Sequence, residues 1–385
     1  MRYFVEPNAP AGTVGGNTWA SAGELVATVA AVIAAPSPGG DEIWCLQGNY
    51  NLAGNPLNII NTAMRNIEPL SIYGCFAGWE NTLCDRNANI NSLQYPTFFQ
   101  HPSILDGGGV NRIINMDNVS VYRIDGFIIQ NGNEASDGGG VQVVSSSNIW
   151  FENIVFMDNV AGGNGGGLYA RSVRSLMIKN SIFFHNTANG AIGGGGIYAN
   201  SGGVNTLLIN LLFNENQAAN GNGDAIYLNN NVDNVKIINN TIVDNTTSNS
   251  SVYCMGSNQN VGIYNSIFYP DILDNSSTSP SNIIVDYCLL NQTNFPSINN
   301  IYPTPASPVN PYFVNQASLA SGGDYHLQIN PPFPNTSPCI DSGYMGHFFP
   351  FSDTDLEGNP RFIDNGVNPP PPLFRMIDRG AFEVQ

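Results

Sequence analysis

The chain contains very little positive charge. Lysine occurs only at Lys179 and Lys236, and 12 Lys and Arg residues stand against 29 Asp and Glu residues, for a formal net charge of −17. Nucleic acids and anionic membrane surfaces bind basic proteins, so neither is an expected partner. Charged residues of both signs make up only 11% of the 385 residues, which indicates that turns rich in Asn and Gly supply the solubility.

The sequence also lacks an apolar run long enough to cross a membrane. Its one long apolar stretch, residues 20–35, includes Glu24 and has no basic flank. A spanning helix needs about 20 apolar residues, and a signal peptide needs a basic start. We therefore predict an amphipathic or buried helix over residues 18–35 and no transmembrane segment. The chain is expected to begin at a trimmed mature end or at a start chosen for expression, without targeting or anchoring segments.

Cysteines are few, and their spacing does not suit zinc. Neither a CxxC pair nor a Cys/His pattern occurs. Cys75 and Cys84 flank the short loop 76–83, which predicts a disulfide in an exported protein; the alternative is buried free thiols. Spacing assigns no partners to the remaining cysteines, which are Cys45, Cys254, Cys288 and Cys339.

A short phrase recurs between about residues 125 and 266. Its best copies, residues 179–186 and 238–245, contain Asn, three or four mostly apolar residues, and Asn again six positions on. Such an internal repeat decides the fold class before local propensity does. The leading positions follow one another at intervals of 28, 27, 30, 29 and 26 residues, and they are Asp125, Asn153, Asn180, Asn210, Asn239 and Asn265.

Each interval also carries a glycine cluster and a second apolar run at a similar phase. Three short strand-like runs per repeat are too short for a βαβ unit and lack helical periodicity. We predict an all-β fold, a right-handed parallel β-helix with three-strand coils of about 28 residues, in which equal phases stack about 4.8 Å apart. Stacked Asn side chains would hydrogen-bond along their column.

We expect this fold to divide the chain into three parts. Residues 1–60 form an N-terminal cap region whose helix covers the first coil, since an open first coil would expose a hydrophobic disc and an unpaired edge. Residues 61–291 form the solenoid. Residues 292–385 are rich in proline, including 369–372, and form an extended, irregular segment that packs on the solenoid.

Motifs at both ends resemble a known bacterial family. The N-terminal motifs are residues 40–44 (GDEIW), 73–80 (YGCFAGWE) and 102–107 (PSILDG); the C-terminal ones are 337–343 (SPCIDSG), 355–361 (DLEGNPR) and 377–383 (IDRGAFE). They are similar to motifs of choice-of-anchor β-helix proteins of the pectate-lyase-like superfamily, and the glycine clusters resemble polymorphic outer-membrane-protein repeats. The resemblance implies a secreted or surface-attached bacterial protein of the Bacteroidetes type, with its anchor removed or absent. That family often has glycine where Cys75 stands, and it has no general catalytic residue set.

Columns of reactive side chains are the places to seek a site. Five positions after each leading residue stand Gln130, Asp158, His185, Glu215 and Asp244. His185 would lie one coil from both Asp158 and Glu215, which suits a general acid–base role or Ca²⁺ binding by the acids. The alternative is a solvated polar stripe beside a turn.

Lys179 would lie one coil from Glu152. An exposed ion pair worth under ~1 kcal/mol is one interpretation, and a catalytic lysine of the polysaccharide-lyase kind is the other. Arg171 and Arg174 share the coil of Lys179, so the three form a basic cluster. The phrases typical of polygalacturonase-like hydrolases (NTD, DD and GHG) do not occur.

A third column consists of Tyr169, Tyr198 and Tyr227, spaced 29 and 29 residues apart. Because the preceding apolar residues need burial, strand alternation predicts that the tyrosines point outward as a platform for sugar rings. The alternative is a ladder covered by the C-terminal segment.

Non-catalytic binding to a glycan or another cell-surface component is the leading functional hypothesis. Catalytic side chains are scarce, so an enzyme, either a polysaccharide lyase or a glycoside hydrolase, is the first alternative. A stalk or filament subunit that stacks end to end is the second. No cofactor is expected apart from Ca²⁺.

Overall fold

The structure is a computed structural model. It describes residues 1–60, 69–200, 203–245, 250–255, 260–274, 283–293, 295, 297, 299–302, 310–329, 336–344, 346, 354–361 and 377–384. The fold is the predicted right-handed parallel β-helix. Equal phases of successive coils pair in parallel register: Trp150 pairs with Met177, and Met177 pairs with Leu207.

Three parallel sheets run along the solenoid. The first contains Arg2–Val5, Asp41–Leu46, Gly48–Asn51, Leu70–Phe76, Ser103–Asp106, Ser120–Gln130, Ser147–Met157, Leu176–Phe184, Gly203–Asn214, Val232–Ile238, Thr241–Val243, Val261–Tyr264, Ile267–Tyr269 and Ile283–Asp286. The second contains Leu57–Ile60, Ile114–Asp117, Val141–Val144, Leu168–Arg171, Ile197–Asn200, Ile226–Leu228, Val252–Cys254 and Leu273–Asp274. The third contains Asn133–Glu134, Val160–Ala161, Thr187–Ala188 and Gln217–Ala218.

The N-terminal helix is shorter than predicted. It spans Leu25–Ala34 and begins after Glu24, whose carboxylate accepts hydrogen bonds from the first-turn amides of Val26 and Ala27, both at 2.8 Å. Such a cap satisfies amides that have no partner within the helix. The helix packs on the first coils of the hydrophobic core. The described residues contain no helix that is both long and apolar enough to span a membrane. Short 3-10 turns occupy Trp19–Ser21, Leu83–Asp85 and Leu319–Ser321.

A second hydrophobic core lies outside the first sheet. Its solenoid side includes Val155, Ile182 and Leu212. Segments outside the repeat cover it, among them the insertion between residues 77 and 102 and the antiparallel hairpin formed by Phe313–Asn315 and Asp324–Leu327. The C-terminal residues Cys339, Ile340, Leu356, Ala381 and Phe382 belong to the same core. The insertion and the hairpin form one wall of the candidate site.

The repeat frame is shifted by one residue in its first copy. Asp125 pairs with Glu152, so Gly126, not Asp125, lies opposite Asn153. The backbone is left-handed there (φ 79° at Gly126 and 53° at Asn153), a conformation that glycine and asparagine both tolerate. The same shift removes Gln130 from the predicted column and puts Asn131 opposite Asp158.

The predicted disulfide between Cys75 and Cys84 is wrong, because both cysteines are free thiols. Cys75 is fully buried and its thiol donates to the carbonyl oxygen of Gly126 at 3.2 Å, whereas Cys84 is exposed. One side chain points into the protein and the other into solvent. Cys45, Cys254, Cys288 and Cys339 are also free and buried.

Candidate functional site

One corner of the solenoid carries a continuous row of polar side chains. We call it the polar stripe; its members are Asn131, Asp158, His185, Glu215 and Asp244. All five have left-handed backbone, with φ between 51° and 57°. This conformation bends the chain between the first and third sheets. Because each member occupies the same phase, neighbouring members are one coil apart, about 4.8 Å.

A ladder of buried asparagines lies directly behind the polar stripe. Each side-chain amide donates to the Oδ1 atom of the asparagine on the next coil, at 2.9 Å in all three steps. The same amides also donate to backbone carbonyls such as that of Phe156, at 2.9 Å. Buried polar groups stabilise a fold only when they are paired, and these are. The ladder consists of Asn159, Asn186, Asn216 and Asn245.

His185 and Asp158 lie on neighbouring coils, as the repeat predicted, and their side chains are in contact. Nδ1 of His185 lies 2.6 Å from Oδ1 of Asp158, and the side chains are 62% and 34% exposed. The imidazole therefore has one nitrogen held by a carboxylate and the rest of its ring in solvent. An oriented, accessible imidazole can exchange hydrogen bonds with a hydroxyl-bearing ligand.

Tyr95 of the insertion lies beside the polar stripe. It is 38% exposed, and its ring centroid is 5.8 Å from that of Phe184, which directly precedes His185. Burial raises the pKa of Tyr95, and the charges of Asp158 and Glu215 raise it further. Glu215 forms no hydrogen bond or ion pair with any part of the chain that the structure describes. An aromatic ring thus adjoins a carboxylate that is available to a ligand.

The far end of the polar stripe is closed by the hairpin. Gln316 donates its amide to both carboxylate oxygens of Asp244, at 3.1 and 3.2 Å. Burial raises the pKa of Asp244, although these bonds oppose the shift. Asp158, His185 and Glu215 remain as the open part of the polar stripe.

An open cleft of about 440 Å³ adjoins the near end, and Asp106, Asn131 and Asp158 contribute to its walls. Oδ2 of Asp106 accepts hydrogen bonds from Gln130 at 2.9 Å and from Asn131 at 3.2 Å. Burial acts to raise the pKa of Asp106, but these bonds outweigh it and lower the pKa. Asp106 is therefore an ionised acceptor at neutral pH.

The predicted ion pair between Lys179 and Glu152 is present at 3.5 Å, within a larger network. Arg123 bridges Asp125 at 2.9 Å and Glu152 at 2.6 Å, and Arg86 reaches Asp125 at 3.0 Å. Burial and the charge of Asp125 raise the pKa of Glu152. Positive and negative groups alternate along this network, and Lys179 is only 12% exposed. The lysine is thus held by a carboxylate within the protein.

The tyrosine column is buried, so the predicted exposure of Tyr169, Tyr198 and Tyr227 is wrong; the rings are 5%, 2% and 5% exposed. They do lie outside the main core, as strand alternation predicted. Each ring stacks on its counterpart one coil away, at 5.2 and 5.4 Å between centroids. A Cβ atom placed on Gly194 would lie 2.7 Å from that of Tyr198, so the glycine turn covers the column closely. Sugar rings cannot stack on these tyrosines, because the tyrosine rings are not accessible.

Metal binding by the acidic column finds no preformed site. Over the described ranges, no group of three or more His, Cys, Asp and Glu side chains is placed to share an ion. Asp158 is instead engaged by His185 and Asp244 by Gln316. Binding of Ca²⁺ stays a prediction.

Tyr95, Gln316 and Asp106 were not among the predicted site residues. The phrase Asp106-Gly107-Gly108-Gly109 could have indicated a turn with a carboxylate at its start. In the structure, the amide of Gly108 donates a hydrogen bond to the Asp106 carboxylate at 2.8 Å. Tyr95 and Gln316 lie in segments outside the repeat, and no periodic pattern pointed to them.

No family model and no curated protein matches this chain. The solved structures that are similar to it include two lyases. The pectate lyase Pel9A is 13% identical, with 100% of this chain and 96% of that chain covered and a TM-score of 0.47. The PL6 family alginate lyase AlyGC is 12% identical, with 85% and 42% covered and a TM-score of 0.31. Similarity at this level carries no information about substrate or catalytic residues. The resemblance to choice-of-anchor and polymorphic outer-membrane proteins stays a prediction from the motifs.

Proposed function

We propose that this protein binds a polysaccharide along the polar stripe without cleaving it. The observation that carries the proposal is the combination of an exposed ring, Tyr95, with accessible polar side chains repeated at one-coil spacing, Asp158, His185 and Glu215. Aromatic faces stack on apolar faces of sugar rings, and carboxylate and imidazole groups bind hydroxyls. A polysaccharide repeats its sugar units at regular intervals, as the polar stripe repeats its side chains.

The charge of the site favours a neutral polysaccharide. Among the described lysines and arginines, none forms an ion pair with a carboxylate of the polar stripe. The whole chain has a net charge of −17. Polyuronates would therefore be repelled, because like charges brought together without a counter-ion are unfavourable. Such a ligand would be met outside the cell, in agreement with the location that the end motifs imply.

An inverting glycoside hydrolase is the second candidate. Asp158 and Glu215 are two coils apart, roughly 9–10 Å, and carboxylates at about 6.5–9.5 Å leave room for an attacking water molecule. His185, however, lies between them and engages Asp158. The lyase alternative has less support because Lys179 is held in its ion pair. End-to-end assembly stays a prediction.

The test is a titration of neutral hexasaccharides of glucose, xylose and mannose, with polygalacturonate as the anionic comparison. Reducing and unsaturated ends are measured in the same samples, with and without Ca²⁺. We expect one neutral hexasaccharide to bind without product, and Glu215→Gln to weaken it about tenfold, or ~1.4 kcal/mol. Asp117→Asn, at a corner of the second sheet, is the matched control. Product formation lost in Asp158→Asn would establish the hydrolase instead.

A further inference from the structure

The insertion and the hairpin beside the polar stripe are joined through one carboxylate. Oε1 of Glu357 accepts from the backbone amide and the hydroxyl of Ser92, at 2.8 and 2.7 Å. Its Oε2 lies 3.3 Å from Nε2 of His326, whose Nδ1 lies 2.7 Å from Oδ1 of Asp324. We call Ser92, Glu357, His326 and Asp324 the junction.

On the insertion side, the junction holds the loop that carries Tyr95. The backbone of Asn91 donates to the carbonyl oxygen of Phe98 at 2.8 Å, which closes the loop. Phe98 is fully buried, and its ring is 5.8 Å from that of Tyr95. The loop therefore has an apolar attachment through Phe98 and a polar attachment through Ser92, with Tyr95 between them.

On the hairpin side, the junction holds the segment that reaches Asp244. His326 follows Tyr325, whose hydroxyl donates to the carbonyl oxygen of Ala317 at 2.6 Å and accepts from the amide of Asn214 at 2.9 Å. Gln316, which binds Asp244, directly precedes Ala317. The hairpin is thus fixed to the solenoid at Asn214 and to the junction at His326.

Glu357 is itself held in place. Its backbone amide donates to Oδ1 of Asp355 at 3.0 Å, and the backbone amide of Asn359 donates to the same atom at 2.8 Å. The ring of His326 lies 4.5 Å from that of Phe382. Since both partners are fixed by their surroundings, the ion pair between them holds a defined geometry at little further entropic cost.

We propose that Glu357 and His326 are positioning residues for polysaccharide binding. Through Ser92 and the hairpin they set the position of Tyr95 and Gln316 relative to the open carboxylates of the polar stripe. A ligand that spans Tyr95 and Glu215 needs that distance fixed before it binds, because ordering a loop on binding reduces affinity. The inference rests on the proposed function for its ligand but not for its mechanical part.

The test combines hydrogen–deuterium exchange with a double-mutant cycle on the full chain. Ser92→Ala should raise exchange in residues 91–98 and leave residues 313–327 unchanged, whereas Glu357→Ala should raise it in both. Glu357→Gln keeps an acceptor for Ser92 and should protect residues 91–98 nearly as the wild type does. Thr97→Ala, in the same loop but outside the junction, is the control.

Binding of the neutral hexasaccharide that titrates in the panel supplies the second arm. Glu357→Ala should weaken it about tenfold in the wild-type background and by a clearly smaller factor in Tyr95→Ala, where only the contribution through the hairpin remains. Additive losses, or unchanged exchange at residues 91–98 in both Ser92→Ala and Glu357→Ala, would overturn the proposal. If no hexasaccharide binds the wild type, the proposed function fails, while the exchange experiment still decides whether the junction holds the loop.

Discussion

Asp158 and His185 are 27 residues apart in sequence, yet Oδ1 of one lies 2.6 Å from Nδ1 of the other. Their left-handed backbone, with φ of 55° and 53°, places both side chains at one outer corner of the solenoid. The next residues, Asn159 and Asn186, are fully buried. One turn conformation therefore produces an accessible row of polar side chains and, directly behind it, a buried row of asparagines.

The first prediction concerns the buried row of asparagines. Asn186→Ala removes hydrogen bonds to Phe156 and Asn216 and leaves the amide of Asn159 without its acceptor. Buried groups left unpaired cost about 1–3 kcal/mol each. We expect the free energy of unfolding to fall by about 3 kcal/mol in urea titrations. Asn189→Ala, exposed on the same coil, should cost under ~0.5 kcal/mol; equal losses would show that the ladder does not stabilise the coil.

The second prediction concerns the stability that the tyrosine column provides. Tyr198 stacks on Tyr169 and Tyr227 and accepts a hydrogen bond from Asn229 at 2.6 Å. Tyr198→Ala should lower the free energy of unfolding by about 3–5 kcal/mol, as for other buried aromatic truncations. Tyr198→Phe keeps the stack and should cost only about 1 kcal/mol. Affinity for the hexasaccharide should not change in Tyr198→Phe; a loss there would return the column to the binding site.

The third prediction concerns the reactivity of the thiols. Cys84 is exposed, and the other cysteines are buried. Burial raises the pKa of the Cys75 thiol to about 12, so it is protonated and shielded, whereas the reactive form of cysteine is the accessible thiolate. Native protein should take up one alkylating group, at Cys84, and denatured, unreduced protein should take up six. If the denatured, unreduced protein left Cys75 and Cys84 unlabelled and its mass were lower by two hydrogen atoms, the disulfide would be established.

The fourth prediction concerns Asp271, at the end of the asparagine ladder. Asp271 accepts from Asn245 and Ser251, and burial raises its pKa to about 7 from an ordinary value of 3.8. A raised carboxyl pKa stabilises the fold fully below the unfolded value and loses that contribution as pH rises through the folded value. Stability should therefore fall between about pH 4 and 7, by up to roughly 4 kcal/mol.

Asp271→Asn should reduce this slope, because an amide accepts the same hydrogen bonds without titrating. Burial also raises the pKa of Asp378 to about 7 and that of Glu383 to about 9, so these carboxyls keep their share of the slope. Unfolding at pH 4 and pH 8 measures it, with Asp117→Asn as the control that keeps the wild-type profile. A slope in Asp271→Asn equal to that of the wild type would place its origin at another group.

The repeat was enough to predict the coil, the stacking of asparagines and the one-coil spacing between His185 and Asp158. It misplaced the first copy because Gly126 replaces asparagine at a left-handed position, while Asp125 beside it looks like an asparagine substitute. It also overestimated the exposure of Tyr198, because alternation gives the direction of a side chain but not what covers it. The neighbouring rings and the turn at Gly194 provide that cover.

Contacts outside the repeat could not be predicted from periodicity. Ser92 and Glu357 are 265 residues apart, and neither belongs to a repeating column. Tyr95 reaches the polar stripe only because Phe98 and its neighbours pack on the outer face of the first sheet. Such contacts depend on the path of a non-repeating segment, which hydrophobic pattern alone does not determine.

The most direct measurement is calorimetric titration of the neutral hexasaccharides into wild type, Tyr95→Ala and Leu93→Ala. Leu93 is the matched control, since it lies in the same loop and is 56% exposed. We expect Tyr95→Ala to weaken binding about tenfold, or ~1.4 kcal/mol, and Leu93→Ala to match the wild type. Binding that is equal in all three proteins would contradict the proposed site, and no binding to any of them would contradict the proposed function.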